Sequence, residues 1–439
     1  MGSFDQAAAA ALAKPASSTT WLDDFRAGNR QQWLDSSWPT RKTEDWKYTS
    51  LAPLAEADFM RFGQLEQHDF DPSLYTIEHL DCQRLVFVNG ELAPQLCQPG
   101  TPEQSKHLVR FSEATAAQRE LIDEHLGSAA IADSNPFVAL NGSWLEDGLL
   151  YHIDNAAEQP LPLHIVHLTT PGREAFSVRQ RLLVVIEANC NATVIEHFAS
   201  TDAAQNSFFN GVSEFKVMAG GQLTHYRLHL EEEHAIHIGG IYMQLQRDAS
   251  VDSFFIGMGS HLKRIDLRVQ HQGPGSYAKL NGVYLAKGKQ HIDLHSTVEH
   301  EQPLGTTAEI VRGIVDDEAR AVFNGRIHIH RDAQKTLAEL SNRNLLLTNT
   351  AEIYTKPELE IYADDVRCAH GATVSQIEDK ALYYLQSRGI DRKEAEVMLS
   401  FGFINELINA LAHTPVQALL RPILTRWFSD DSRLTRHLQ

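Results

Sequence analysis

The stretch Tyr354-Thr-Lys-Pro-Glu-Leu-Glu-Ile-Tyr-Ala-Asp-Asp-Val-Arg-Cys-Ala-His-Gly-Ala-Thr-Val-Ser-Gln-Ile377 decides how the rest of the chain is read. In it Leu359, Ile361 and Ala363 alternate with Glu358, Glu360 and Tyr362. That period of two predicts a strand with one buried face. Pro357 has no N–H to give a ladder, so it is expected at the strand's head. Further on, Cys368 and His370 stand two residues apart, and on extended backbone residues i and i+2 project to one face. A thiol and an imidazole would then lie side by side, with no side chain on Gly371 to crowd them. Such ligands suit iron, copper or zinc, and thiolates are the usual iron–sulfur ligands. Two ligands do not close a site, so another chain or a small molecule would have to complete it. The plain alternative is a thiol packed as a small hydrophobe beside a histidine bonded to backbone.

Between Lys356 and Thr373 the core Glu-Ile-x-Ala-Asp-Asp-Val-x-Cys-x-His-Gly-Ala-Thr closely resembles the SufB/SufD family of iron–sulfur cluster assembly scaffolds, and within it the D branch. The weaker stretch Arg41-Lys-Thr-Glu-Asp-Trp-Lys-Tyr-Thr-Ser50 is similar to a signature near the start of such chains. The resemblance implies a scaffold without turnover of its own, built on a right-handed parallel β-helix. It implies that His370, with Cys368, serves a nascent iron–sulfur cluster or iron at the interface with a SufB-like paralogue. It also implies a SufC-like ATPase on the C-terminal helices, a reduced flavin in the complex, self-pairing of the isolated chain, and a cytoplasmic location. The B branch carries an essential cysteine a few tens of residues upstream. The corresponding Ser341-Asn-Arg-Asn-Leu-Leu-Leu has none, so the chain should lack that sulfur-accepting thiol.

The chain has 439 residues, 43% hydrophobic and 22% charged, which places it among globular proteins with room for two or three domains. A net charge of −18 argues against nucleic acid and anionic membranes, which need basic patches. Cys82, Cys97, Cys190 and Cys368 are scattered, which is neither a disulfide framework nor a zinc motif and reads as reduced thiols. No signal peptide is expected in Met1 to Pro15, and no apolar stretch approaches a membrane span.

In chain order, residues 1–80 read as a helical N-terminal region. Trp21, Leu22 and Phe25 share one helical face, and Trp33, Leu34 and Trp38 suggest a second short helix. Glu44, Trp46 and Tyr48 read as a loop in which the indole is a packing anchor. Residues 81–160 read as a mixed connecting region with a helix near Ala116 to His125. Residues 161–378 are a succession of short alternating segments, an all-β body. Asn-Gly recurs after Val88, Leu140, Phe209, Leu280 and Phe323. It is the strongest short hairpin signal, so periodicity alone favours an antiparallel sandwich or jelly roll. The β-helix comes from the resemblance, and its open ends would need capping. Residues 379–439 read as helical again, with Gly389 as a stop, Asp391 as a cap, and Pro415 and Pro422 breaking up a last segment. On the helix to Leu411, Val397, Phe401, Ile404 and Ile408 form an apolar face expected to hold the ATPase, with packing against the end of the β-body as the plain alternative, and the two are compatible.

Other candidates are weaker. His328 with His330, His291 with His295, and His225 with His229 are same-face pairs, more often solvent-facing than ligating. The glycines near Met258-Gly-Ser260 and Gly273-Pro-Gly275 match no nucleotide fingerprint, which leaves ATP to a partner. A rival reading is a β-helix carbohydrate-active enzyme with Asp364 and Asp365, or Glu299, as its acid pair. Consecutive residues on a strand face opposite ways, which counts against the first pairing.

Overall fold

The computed structural model describes residues 19–55, 70–100, 106–132, 135–171, 175–202, 206–231, 234–429 and 431–438. Residues 1–18 and 56–69 of the expected N-terminal helical region lie outside the described residues. Two sheets form the body. One holds β1 (Gln83–Val88), β2 (Glu91–Leu92), β5 (Leu163–Thr169), β7 (Asn191–Ser200), β9 (Gln222–Leu230), β11 (Ser250–Gly257), β13 (Tyr277–Ala286), β15 (Thr306–Val315), β17 (Leu337–Leu346) and β19 (Arg367–Ser375). The other holds β3 (Leu108–Arg110), β4 (Leu149–Ile153), β6 (Phe176–Ile186), β8 (Ser207–Val217), β10 (Ile236–Leu245), β12 (Leu262–His271), β14 (His291–His300), β16 (Arg320–Ile329) and β18 (Glu352–Ile361).

From β4 onward odd and even strands fall in different sheets, and every ladder within each sheet beyond that point is parallel. The chain therefore winds as a solenoid with one strand per sheet in each turn. Inward side chains such as Ile265, Leu280, Leu294, Val311, Phe323 and Leu340 stack into one continuous apolar core. Several corners turn through left-handed residues, among them Asn189, Gly220, Asp248 and Gly275, types that tolerate positive φ.

The antiparallel reading of the Asn-Gly recurrence is overturned. Val88-Asn89-Gly90 is a true hairpin, with φ of 50° and 91° joining β1 to antiparallel β2. Leu140-Asn-Gly142 lies in a helix, and the other three lie inside β8, β13 and β16. Within the solenoid Gly serves close approach instead: a Cβ on Gly325 would collide with Leu340 and Phe323. The region 81–160 is also more than a connection, because β1 and β4 start the two sheets.

Helices α1 (Asp23–Asp35), α2 (Ala116–His125) and α3 (Pro136–Ser143) belong to the N-terminal part. The two short helices expected around Trp21 and Trp33 are one, since α1 runs through Trp33 and Leu34; Trp38 follows it and packs edge-on against Trp33 at 6.3 Å. Helix α2 carries a full Thr115–Gln118 capping box. Trp33, Trp46 and Phe137 cover Phe208, Ile238 and Leu262 on the outer face of one sheet.

Helices α4 (Asp379–Gln386), α5 (Arg392–Asn409) and α6 (Thr414–Phe428) follow the last strand. Asp391 caps α5, and Gly389 sits at φ 84° after α4 as expected. Helix α6 runs unbroken through Pro422. An interior proline costs about 3 kcal/mol relative to alanine, and burial of Val416, Leu420 and Leu424 offsets it. Phe401, Ile404 and Ile408 are buried against Leu228, Ile256, Leu285 and Ile314 of the other sheet's outer face. These three residues take up the packing against the β-body that stands as the alternative to ATPase contact, because the chain's own solenoid covers them. Val397 is only partly buried.

Candidate metal centre at the open end of the solenoid

Strands β18 and β19 are the last in their sheets. Pro357 is not at the head of β18 but in its middle, opposite Gly325, which an edge strand tolerates because one side of its ladder is empty. Cys368 stands over Ala338 and His370 over Leu340, both residues of the apolar core. The thiol and the imidazole thus lie on the inward face, as the i, i+2 spacing requires. Cys368 is half-buried against the core, and burial pushes its thiol up from the ordinary value. Arg367, on the opposite face, does not counter this. His370 is exposed, since among the described residues none covers the final turn. Leu337, Ile361 and Val374 are exposed at the same end.

The remaining candidates sort differently. His225 and His229, expected at the surface, are fully buried. His225 bonds Glu196 at 3.0 Å and Ser253 at 2.9 Å. Ligand atoms of His229, Glu231 and His237 lie within 4.8 Å of one another, a grouping sequence reading missed because Glu231 sits in a corner between strands. The Lys263 ammonium donates to Glu231 at 2.7 Å and supplies the cation there. Burial works against the Glu231 carboxylate, but Lys263 and the two imidazoles outweigh it and hold its pKa well below the ordinary range. His328 and His330 stack at 4.3 Å, partly covered. The buried Asp293 binds Arg264 at 2.7 Å and His295 at 3.1 Å. Asp364 and Asp365 occupy an exposed turn, and Glu299 is paired with Arg268 at 2.7 Å, so the acid pair of a carbohydrate-active enzyme is not assembled from them.

The motif from Arg41 to Ser50 is a clamp. Trp46 is buried under the Arg264 guanidinium, 4.6 Å from its ring. Thr49 donates to Asp293, Tyr48 stacks on Tyr354 at 4.4 Å, and Lys356 donates to Glu44 at 2.9 Å. It ties the N-terminal segment to β12, β14 and the edge strand β18, which bears out the reading of Trp46 as a packing anchor.

Residues 6–165 are similar to the family described as SufBD protein N-terminal region, and residues 168–403 to SUF system FeS cluster assembly, SufBD core domain. The chain is 32% identical over 384 residues to the iron-sulfur cluster assembly protein SufD of Escherichia coli, spanning 87% of each. It is 31% identical over 391 residues to an iron-sulfur cluster assembly SufBD family protein of Synechocystis, spanning 87% of this chain and 86% of the other. Similarity to the SufD protein of Bacillus subtilis is 24% over 416 residues, 92% of this chain and 94% of the other.

Proposed function

The chain belongs to the SufBD family of iron–sulfur cluster assembly proteins, and from that premise we propose that it is a non-catalytic scaffold whose His370 helps to hold a nascent cluster, or its iron, against a SufB-like partner. The observation that carries this is the uncapped end of the solenoid. Two adjacent edge strands and an exposed apolar rim stand open there, with an imidazole among them. Unpaired edges of this kind template pairing with another chain. A lone imidazole needs further ligands, and a partner seated on those edges can bring them. Cys368 is the second ligand; its raised pKa keeps it protonated until a metal displaces the proton. Iron and sulfide are the cargo of this site.

A SufC-like ATPase docks on the C-terminal helices, at surface that the chain leaves open. A groove of about 530 Å³ between α4, α5 and α6 is lined by Val397, Lys393, Glu396 and Trp427 among others. Tyr383 and Tyr384 are exposed beside it on α4. The isolated chain pairs with itself through the same open end. We assign no residue to a reduced flavin. Among the described residues no helix is long and apolar enough to cross a membrane, and we place the work in the cytoplasm, away from nucleic acid.

The decisive experiment replaces His370 with alanine and assembles the variant anaerobically with its B-type and ATPase partners. Iron and sulfide bound per complex should fall roughly tenfold or more, with the mass of the complex unchanged. Full cluster formation by the variant would refute the assignment.

A further inference from the structure

Directly beneath the open end the solenoid interior stops being apolar. Asn342 and Asn344, both on β17 and fully buried, face inward with Tyr284 of β13. The Tyr284 hydroxyl donates to Asn344 Oδ1. Asn344 Nδ2 donates to Asn342 Oδ1 at 2.5 Å and to the backbone carbonyl of Thr373, on β19, at 3.1 Å. Asn342 Oδ1 also accepts from Thr355 Oγ1, on β18, at 2.9 Å. Its Nδ2 donates to the Val311 carbonyl at 3.3 Å. Gly313 is needed for this approach, because a Cβ there would collide with the Tyr284 ring and Asn344. No polar atom of these side chains is left without a partner.

We infer that Asn342 and Asn344 are positioning residues for the Cys368–His370 pair. The inference rests on the scaffold reading above and adds the device that aims the ligands. Each edge strand has a ladder on one side only, and the side chains beneath would otherwise hold it by non-directional contact. The two amides change that. One binds the backbone of β19 three residues beyond His370, the other binds β18, and they bind each other. The two edges therefore share one hydrogen-bonded frame. A fully satisfied buried network of this kind specifies a unique arrangement, whereas apolar packing permits slippage. A site finished by a second protein needs such a frame, because its ligands must stand in place before the partner arrives.

The test uses Asn344→Asp, which keeps the side chain's shape and its acceptor for Tyr284 but removes the donor that reaches both Thr373 and Asn342. In the full chain, amide hydrogen exchange at Ala372 to Ser375 should rise about tenfold, the change that loss of one hydrogen bond of ordinary strength produces. Exchange in β5 to β13 should be unchanged. Cluster formation in the assembled complex should fall by a similar factor, with partner affinity retained. Tyr284→Phe, which frees the Asn344 amide to turn, should raise exchange at the same amides by a smaller factor, and it serves if the Asp variant does not fold. Unchanged exchange in both variants would overturn the inference. Faster exchange with full cluster formation would also overturn it, leaving His370→Ala to judge the scaffold reading independently.

Discussion

Glu309 illustrates what a single residue does inside this solenoid. It faces inward on β15 between Leu280 and Leu340, and one carboxylate oxygen has no partner. Burial raises its pKa to about 7. In the unfolded chain a glutamate titrates near pH 4.3. Between those values the folded protein holds a proton that the unfolded chain has lost, so its contribution is complete below about pH 4 and is lost as pH rises through about 7. Glu309→Gln should therefore flatten the pH dependence of stability, with little change near pH 4 and a gain of about 3 kcal/mol near pH 8. Denaturant titrations at the two pH values would check this, and equal stability of variant and parent at pH 8 would contradict it. Cys368 and His370 were legible from spacing because strand geometry puts i and i+2 on one face. The exposure of His370 was not, since it depends on where the solenoid stops.

At the scale of elements, local signals succeeded where short-range chemistry decides. Helix α2, the Asp391 cap and the Gly389 stop came out as expected, because caps and stops are settled within one turn of backbone. They failed where long-range pairing decides. Asn-Gly inside β8, β13 and β16 gave no hairpins, and Pro357 and Pro422 ended nothing. The wide apolar surface of α5 and its packing on the β-body were visible in sequence, but not which side chains the solenoid takes: Phe401, Ile404 and Ile408. On the proposed function, ATPase docking falls to what α4 leaves outside, where Tyr383 is 73% exposed and Tyr384 55%. Replacing both tyrosines with aspartate should leave the thermal midpoint of the isolated chain unchanged and weaken ATPase co-purification at least about tenfold, the loss expected of aromatic anchors at an interface. Undiminished co-purification would place the contact elsewhere.

On the scale of the whole molecule, the open end governs. A solenoid buries the apolar face of each turn under the next, and among the described residues the last turn has no strand above it. Val374 on β19 is 44% exposed although its position faces inward, above Asn344. Val374→Lys should weaken pairing with the B-type partner, or with a second copy, by about tenfold or more through the cost of burying an unpaired charge. The unfolding midpoint of the isolated chain should hardly move, because the side chain is already in water. Analytical ultracentrifugation with and without the partner would measure both, and unaltered association would show that this end is not the interface.

Composition, the Cys368–His370 spacing and the two motif stretches determined by themselves the family, the all-β body and its helical ends, because these rest on residue identity and short-range periodicity. Parallel winding followed from the family resemblance and not from periodicity; the lysine within the His229–Glu231–His237 cluster and the amide frame under β18 and β19 were decided only by tertiary structure. In the cluster and in the frame the groups that meet come from different turns of the solenoid. Their approach is set by the rise from one strand to the next, which no local stretch of sequence encodes.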